Sequence, residues 1–223
     1  MTYKIVIPIY TNEHLADNCL KSIDVDWKHL IIVDNSKDSF CKKYEGRGAT
    51  IYYYPENIGV SRAWNLGLKA DADWTFFVSI AVAFPNGFSE VLAELKNAND
   101  YLFCSDLAWH CNAISRECVK AVGYFDENFY PAYYEDTDYV RRMQLLGIPV
   151  TVVRTSAYSA VQSNSTESDR GLPVHYLNLE KYYIEKWGGK PGHETFDKPF
   201  GDKGIGYWVG QTINTLKQRY GLE

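Results

Sequence analysis

The first hundred residues alternate short apolar runs with stretches whose apolar positions recur at helical spacing. Lys4 to Ile7 is a β-rich run stopped by Pro8, and Thr11 or Asn12 stands where it can cap a helix carrying Leu15, Cys19, Leu20 and Ile23 on one face. Leu30 to Val33 is continuously apolar, as expected of a strand covered on both faces, and it ends in Asp34-Asn35-Ser36. Thr50 to Tyr54 predicts a third strand, after which Asn57-Ile58-Gly59 turns the chain into a helix from about Ser61 to Ala70. Trp74 to Val78 predicts a fourth strand, followed by a loop through Phe84-Pro85-Asn86-Gly87 and a helix from about Phe88 to Asn97.

Strands alternating with helices in this way predict an α/β fold: a Rossmann-like, mostly parallel sheet flanked by helices. Ligands of such sheets sit outside the carboxyl ends of the strands, where Pro8-Ile9-Tyr10, Asp34-Asn35-Ser36 and the chain from Ser79 onward all fall. The second half is less regular. It predicts a strand at Tyr101 to Cys104, an apolar stretch around Ala113-Ile114, a helix from about Glu135 to Leu146 closed by Gly147, a strand at Val150 to Val153 and a helix near Leu177. Ser163 to Arg170 is polar and reads as a mobile loop. Trp187 to Gly210, rich in Gly, Lys, Pro and aromatics, reads as a long surface loop able to fold over a ligand, and Val209, Ile213, Leu216 and Tyr220 mark a C-terminal amphipathic helix.

Length and charge narrow the picture. A chain of 223 residues is expected to form one domain, with a first part over 1–105, a second over 106–190, and a loop with the last helix over 191–223. The net charge of -5 offers no global positive field for nucleic acid or an anionic membrane. The longest uncharged apolar run, Trp74 to Phe84, is far short of the roughly 20 residues a membrane helix needs. No secretory h-region opens the sequence, so the expected compartment is cytoplasmic. Five cysteines without a C-x-x-C pair are expected to be reduced, mostly buried thiols.

Five blocks in order carry a resemblance: Lys4-Ile-Val-Ile-Pro-Ile-Tyr-Thr11; Leu30-Ile-Ile-Val-Asp-Asn-Ser36; Asn57-Ile-Gly-Val-Ser-Arg-Ala-Trp-Asn-Leu-Gly67; Gly123-Tyr-Phe-Asp-Glu127; and Tyr134-Glu-Asp-Thr-Asp-Tyr139. The chain resembles the family 2 glycosyltransferases, enzymes of GT-A fold, across roughly its first two thirds. The resemblance implies an inverting transferase that moves a sugar from a UDP- or GDP-linked donor to a hydroxyl acceptor, most simply a glycan. It implies a nucleotide pocket at Pro8, Tyr10, Asp34, Asn57, Gly59, Arg62 and Ser79. There Asp34 would accept a hydrogen bond from a uracil-type N3–H or a ribose hydroxyl, Gly59 would let the backbone approach the ligand, Arg62 would meet a phosphate or the base, and Asn65 would orient the loop. Asp136 is the implied general base with Glu135 its neighbour, because an attacking hydroxyl must lose its proton to a nearby carboxylate. Taken alone, Glu135, Asp136 and Asp138 merely complement a helix N-terminus, which would keep a base ionised but weak. Trp109 is the expected acceptor contact, with Tyr130, Tyr133 and Tyr134 equally readable as packing.

The metal site departs from the family. Such enzymes place an acidic pair after the fourth strand to hold Mn²⁺ or Mg²⁺ against the donor diphosphate. Aligning Phe84-Pro85-Asn86-Gly87 with the family's Phe-Pro-x-Gly puts Ala81 at the key Asp, and no carboxylate lies between Asp73 and Glu90. Three readings stay open. The diphosphate is held without metal; other residues hold the metal, with His175 the first candidate and His110 and His193 weaker ones; or the chain is a catalytically impaired or non-catalytic relative that still binds nucleotide or carbohydrate. A nucleotidyltransferase would open with a Gly-rich phosphate loop, which Pro8-Ile-Tyr-Thr11 does not resemble. The C-terminal helix offers a surface for a homodimer or for a membrane contact, which the sequence leaves open.

Overall fold

The computed structural model describes residues 1–97, 101–104, 110–153, 158–159 and 172–203. In chain order the elements are β1 (Tyr3–Ile9), α1 (Glu13–Lys21), β2 (Leu30–Asp34), β3 (Thr50–Tyr53), α2 (Val60–Leu68), β4 (Trp74–Val78), β5 (Val82–Ala83), α3 (Phe88–Ala93), β6 (Tyr101–Cys104), β7 (Cys111–Ser115), α4 (Arg116–Val122), α5 (Glu135–Leu145), β8 (Thr151–Val153), β9 (Tyr158–Ser159) and α6 (Leu172–Trp187). Seven strands form one sheet in the order β3-β2-β1-β4-β7-β6-β8, and β5 pairs with β9 in a separate ribbon. The first four strands of that order are mutually parallel, as are β6 and β8. β7 runs antiparallel to both its neighbours, β4 and β6.

The strands lie between two apolar layers. Ile5, Ile7 and Ile9 of β1 face one way, with Leu30, Ile32, Phe76 and Val78, onto Ala16, Cys19 and Leu20 of α1 and Phe88 and Val91 of α3. Val6, Ile31, Val33 and Phe77 face the other way onto Ala63, Trp64 and Leu68 of α2, Cys118 of α4, and Tyr139 and Met143 of α5. This is the period-two alternation of a sheet buried on both sides. Pro8 sits inside β1 without cost to the β4 ladder, because β4 pairs only with Tyr3 to Val6 while β2 continues to Ile9.

Several expectations shift. Asn12 does precede α1, but in the left-handed region and without a side-chain cap bond; only its carbonyl joins the helix, accepting from the Ala16 N–H at 3.1 Å. The apolar stretch at Ala113-Ile114 is the middle of β7, and its antiparallel direction was not predicted. The helix Arg116–Val122 was missed, although Ser115 caps it, its hydroxyl accepting from the Cys118 N–H at 3.0 Å, and Gly123 follows with φ of 88°. The last described helix starts at Leu172 rather than near Leu177, because Pro173 is tolerated in a first turn where its missing N–H has no partner to lose. Of the predicted loop Trp187 to Gly210, Trp187 is fully buried in α6, and 188–203 folds back on the end of that helix: the N–H groups of Thr195 and Phe196 donate to Trp187 O and that of Phe200 to Lys186 O. The segments 163–170, 204–210 and the C-terminal helix lie outside the described residues. Cys19, Cys41, Cys111 and Cys118 are free, buried thiols. No helix among the described residues is long and apolar enough to cross a membrane.

Gly67 sets how closely α2 approaches the sheet, since a β-carbon there would collide with Val6 Cγ2. Gly67→Ala is expected to cost about 1–3 kcal/mol by overpacking. Val6→Ala added to it should recover part of that loss instead of adding to it, as measured by denaturant unfolding of the two single and the double variant.

Candidate active site

β1, β2 and β4 end on one edge of the sheet, and there the chain is tied into a continuous network. The Asp34 carboxylate is 1% exposed: Oδ1 accepts from the Ser36 N–H at 2.9 Å and its hydroxyl at 2.5 Å, and Oδ2 accepts from the Cys41 N–H at 2.8 Å. Asp34 therefore organises the turn after β2, and a ligand donor would have to use a lone pair left on Oδ2. Asn35 donates its N–H to Ile9 O at 2.7 Å and accepts from the Ile58 N–H at 3.3 Å, joining β1, β2 and the start of α2.

Asn57 closes the next turn, its side chain accepting from the Gly59 N–H at 2.9 Å. Gly59, with φ of 80°, permits a close approach, but to protein: a β-carbon there would lie 2.9 Å from the Tyr130 ring. The Tyr130 hydroxyl donates to Asn57 O at 3.0 Å, and Pro131 O accepts the Val60 N–H at 2.8 Å, which takes one of the free N–H groups expected to face a ligand. Asn65, 2% exposed, spans from α2 to the Phe125–Glu127 segment. Its Nδ2 donates to Phe125 O and Glu127 Oε1, both at 2.9 Å, and its Oδ1 accepts from the Phe125 N–H at 2.9 Å. Arg62 is exposed and forms no ion pair among the described residues, so its guanidinium is available at the start of α2. Tyr10 is 37% exposed and Pro8 half-buried at the end of β1.

After β4, the Ser79 N–H donates to His110 O at 2.8 Å, and its hydroxyl accepts from the Ala81 N–H at 3.2 Å. Ala81 is 1% exposed. Among the described residues no group of three or more His, Cys, Asp or Glu side chains is arranged to hold a metal ion. A hydroxyl already turned onto the backbone and a packed methyl do not supply the hard oxygen ligands of Mn²⁺ or Mg²⁺. His110 is half-buried, and burial lowers its pKa. His193 is exposed, and Trp109 lies outside the described residues.

Charge is concentrated where α5 meets α6. Asp138 is fully buried. It accepts from Arg142 Nε at 3.0 Å and from the Trp187 indole at 2.9 Å, and it pairs with Lys186 at 2.5 Å. Lys186, 5% exposed, also reaches Asp126 at 2.7 Å, and Asp126 accepts from the Tyr182 hydroxyl at 2.7 Å. Burial alone would raise the Asp126 pKa, but the charge and hydrogen bond of Lys186 more than reverse it and hold the carboxyl well below its ordinary 3.8. Tyr176 of α6 packs on Tyr133 and Tyr134, at 5.3 and 5.2 Å between ring centroids, so the first turns of α5 and α6 lie side by side. Tyr133 and Tyr134 have φ of 89° and 69°, a costly conformation for bulky residues that this packing sustains.

Immediately after these strained tyrosines come Glu135 and Asp136. Glu135 is 6% exposed and its Oε2 is buried without a partner. Burial and the adjacent Asp136 charge raise its pKa well above 4.5. Asp136 is half-buried; its Oδ1 accepts from the Thr137 N–H at 2.6 Å and hydroxyl at 3.1 Å, and its Oδ2 carries no bond among the described residues. Burial raises its pKa too, against the Thr137 bonds. Desolvation thus works against the ionising influence of the helix N-terminus expected from the sequence. His175 lies one residue before Tyr176, with Nδ1 buried and unpartnered. Sequence reasoning missed the Asp126–Lys186–Asp138 bridge, whose only signal is a lysine beside Trp187 in an aromatic-rich helix. It also missed Asn112, 1% exposed in β7 with neither amide atom partnered.

The fold is that of the GT-A glycosyltransferases. The mannosyltransferase PcManGT of Pyrobaculum calidifontis, solved with GDP-Man and Mn²⁺, aligns over 86% of this chain and 66% of its own with a TM-score of 0.62 at 15% identity. TarS 1–349 of S. aureus with UDP-GlcNAc gives 0.61 at 15% identity over 83% of this chain and 65% of its own. Glucosyl-3-phosphoglycerate synthase of Mycobacterium tuberculosis with Mg²⁺ and UDP gives 0.52 at 16% identity over 78% and 77%. A curated galactofuranosyl glycosyltransferase of Leishmania donovani is 63% identical over 35 residues, 16% of this chain and 8% of its own. The chain thus spans about two thirds of the first two structures and a small part of the curated relative. No protein-family profile matches the chain.

Two outcomes follow from the charges. Lys186→Met leaves Asp126 and Asp138 buried with their shared cation removed, and is expected to cost about 3–5 kcal/mol in chemical unfolding at pH 7. Glu135 behaves oppositely. Its folded pKa is raised, so its contribution is present below the unfolded value of 4.5 and is lost as pH rises through the folded value. Glu135→Gln should therefore raise Tm by a few degrees at pH 8, and the gain should shrink toward pH 4.

Proposed function

We propose that the chain is a nucleotide-sugar glycosyltransferase in which Asp136 is the general base of an inverting, single-displacement transfer. The observation that carries this reading is the desolvated Glu135–Asp136 pair on a strained helix start, which follows the Tyr130–Pro131 segment bonded to the Asn57 turn and the start of α2. A raised pKa gives a carboxylate the basicity to accept a hydroxyl proton near neutral pH. Asp136 Oδ2 takes the proton of an acceptor hydroxyl as its oxygen bonds the anomeric carbon, and the bond from that carbon to the diphosphate breaks, releasing a nucleoside diphosphate. Glu135, its pKa raised by burial and by the adjacent Asp136, flanks the base and shares its desolvation.

The donor is read as UDP- or GDP-linked, from the ligands of the similarly folded proteins, and the acceptor as a glycan hydroxyl. Pro8, Tyr10, Asp34, Asn57, Gly59 and Ser79 would shape the nucleotide pocket, and Arg62 would meet the diphosphate. The residues around Ala81 do not fit a divalent cation, so no step is assigned to one. Trp109 is retained as the acceptor contact and His175 as a phosphate contact. The buried Ala81 also favours a second reading, a protein of this fold that binds nucleotide or carbohydrate without turnover.

Calorimetric titration of UDP and GDP, with and without Mn²⁺, on this chain and on Ala81→Asp tests the donor site. Equal binding with and without metal to the unaltered chain supports it, whereas binding that needs both the Asp and Mn²⁺ identifies an impaired metal enzyme. No binding to either protein overturns the nucleotide reading. Release of UDP or GDP from the nucleotide-sugar that binds should fall about 100-fold or more in Asp136→Asn with nucleotide affinity unchanged, and undetectable release from the unaltered chain would favour the non-catalytic reading.

A further inference from the structure

A cavity lies at the opposite edge of the sheet, between the C-terminal end of α2, the amino end of β4 and α4. Its volume is about 350 Å³, at the small end of the range of small-molecule sites. Leu68, Ala72 and Val119 give it an apolar wall, and the Tyr124 ring, 48% exposed, stands at its rim.

Its polar groups are few and fixed. Thr75 is 3% exposed, lies on the α2 and α4 face of β4 with Phe77, and its hydroxyl makes no hydrogen bond among the described residues. A hydroxyl in that lining can donate to, and accept from, a molecule in the cavity. Arg116 bonds Asp71 O at 2.8 Å, Ala72 O at 3.4 Å, Asp71 Oδ1 at 3.2 Å and Asp73 Oδ1 at 3.3 Å, through Nε and Nη2 only. Nη1 is left to donate elsewhere. Lys120, also at the wall, is paired with Glu117 at 2.7 Å.

These observations decide the ligand's chemistry. Arg116, Lys120 and Lys69, whose ammonium lies 5.6 Å from the Tyr124 ring centroid and leaves the other face of that ring to a ligand, equal Asp71, Asp73 and Glu117 in number, so the cavity has no net charge to hold a phosphate or sulfate. What remains is an aromatic face with an apolar wall, one preorganised donor, one carboxylate rim and a hydroxyl at depth, which suits a neutral ring bearing several hydroxyls. We propose that this cavity is a binding site for a neutral hexopyranose unit of a glycan, separate from the carboxyl-edge site. The C–H face of the sugar lies on Tyr124, one hydroxyl reaches Thr75, and others bond Arg116 Nη1 and the Asp71 carboxylate. A site here would hold a glycan by a sugar that does not react and raise its local concentration. That use rests on the transferase reading, but the binding itself does not.

The test is saturation-transfer NMR of the full chain with methyl α-D-mannopyranoside and methyl β-D-galactopyranoside, at concentrations suited to a Kd of about 1 mM. At least one glycoside should receive magnetisation on its ring C–H protons, with the signal lost in Tyr124→Ala and its Kd weakened about fivefold or more in Thr75→Val. UDP or GDP titration of both variants should match that of the unaltered chain, and circular dichroism should confirm the fold. Tyr124 is half exposed, so Tyr124→Ala carries the test if Thr75→Val does not fold. No transfer to either glycoside, transfer undiminished in Tyr124→Ala, or displacement of the glycoside by inorganic phosphate would each overturn the proposal. Because nucleotide is titrated separately, failure here leaves the carboxyl-edge reading untouched, and the reverse holds.

Discussion

Lys186 is the point through which the second half of the molecule is held together. Its ammonium sits between Asp126, on the loop after α4, and Asp138, in the first turns of α5, while its own backbone carbonyl accepts from Phe200. One buried cation thereby joins three segments that share no sheet contact. Two carboxylates around one ammonium leave an excess negative charge, and the Tyr182 hydroxyl, the Trp187 indole and Arg142 absorb it. A pair of this kind adds little net stability over apolar packing, but it is intolerant of other arrangements, because any slip of α6 strands a buried charge.

The acidic pair of the candidate site depends on that intolerance. Asp138 is fixed by Lys186, so the first turn of α5 is fixed. The strained Tyr133–Tyr134 backbone is then clamped between Tyr176 and Tyr183 of α6 on one side and the Tyr130–Asn57 contact on the other. Glu135 and Asp136 are carried into a desolvated position that neither would choose in isolation. Holding two carboxyls in such a position costs stability, which is the cost the proposed base would carry.

Most of the sheet could be read from the chain. The strands from Tyr3 to Val78 are local apolar runs with clear turn residues, and their parallel pairing follows from the helices between them. The antiparallel β7 could not be read, because direction is set by the partners it finds and its five residues carry no periodicity long enough to show one. The acidic pair and the turns around Asp34 and Asn57 stand out in the sequence as candidates, and the structure gives several of those residues protein partners. Asp34 and Asn65 spend their hydrogen-bonding capacity on protein, and Gly59 makes room for Tyr130. A short motif states that a side chain is wanted at a place; only packing shows which neighbour wants it. Lys186 lies 60 residues from Asp126, and no local pattern announces such a pairing.

The claim on which the rest turns is that Glu135 and Asp136 are held in a desolvated pair. The direct measurement is an NMR titration of their side-chain carboxyl carbons in selectively ¹³C-labelled protein. Both should titrate above their ordinary values of 4.5 and 3.8, with Glu135 the more displaced and the two curves coupled. Independent titration of both groups at or below those values would contradict the account.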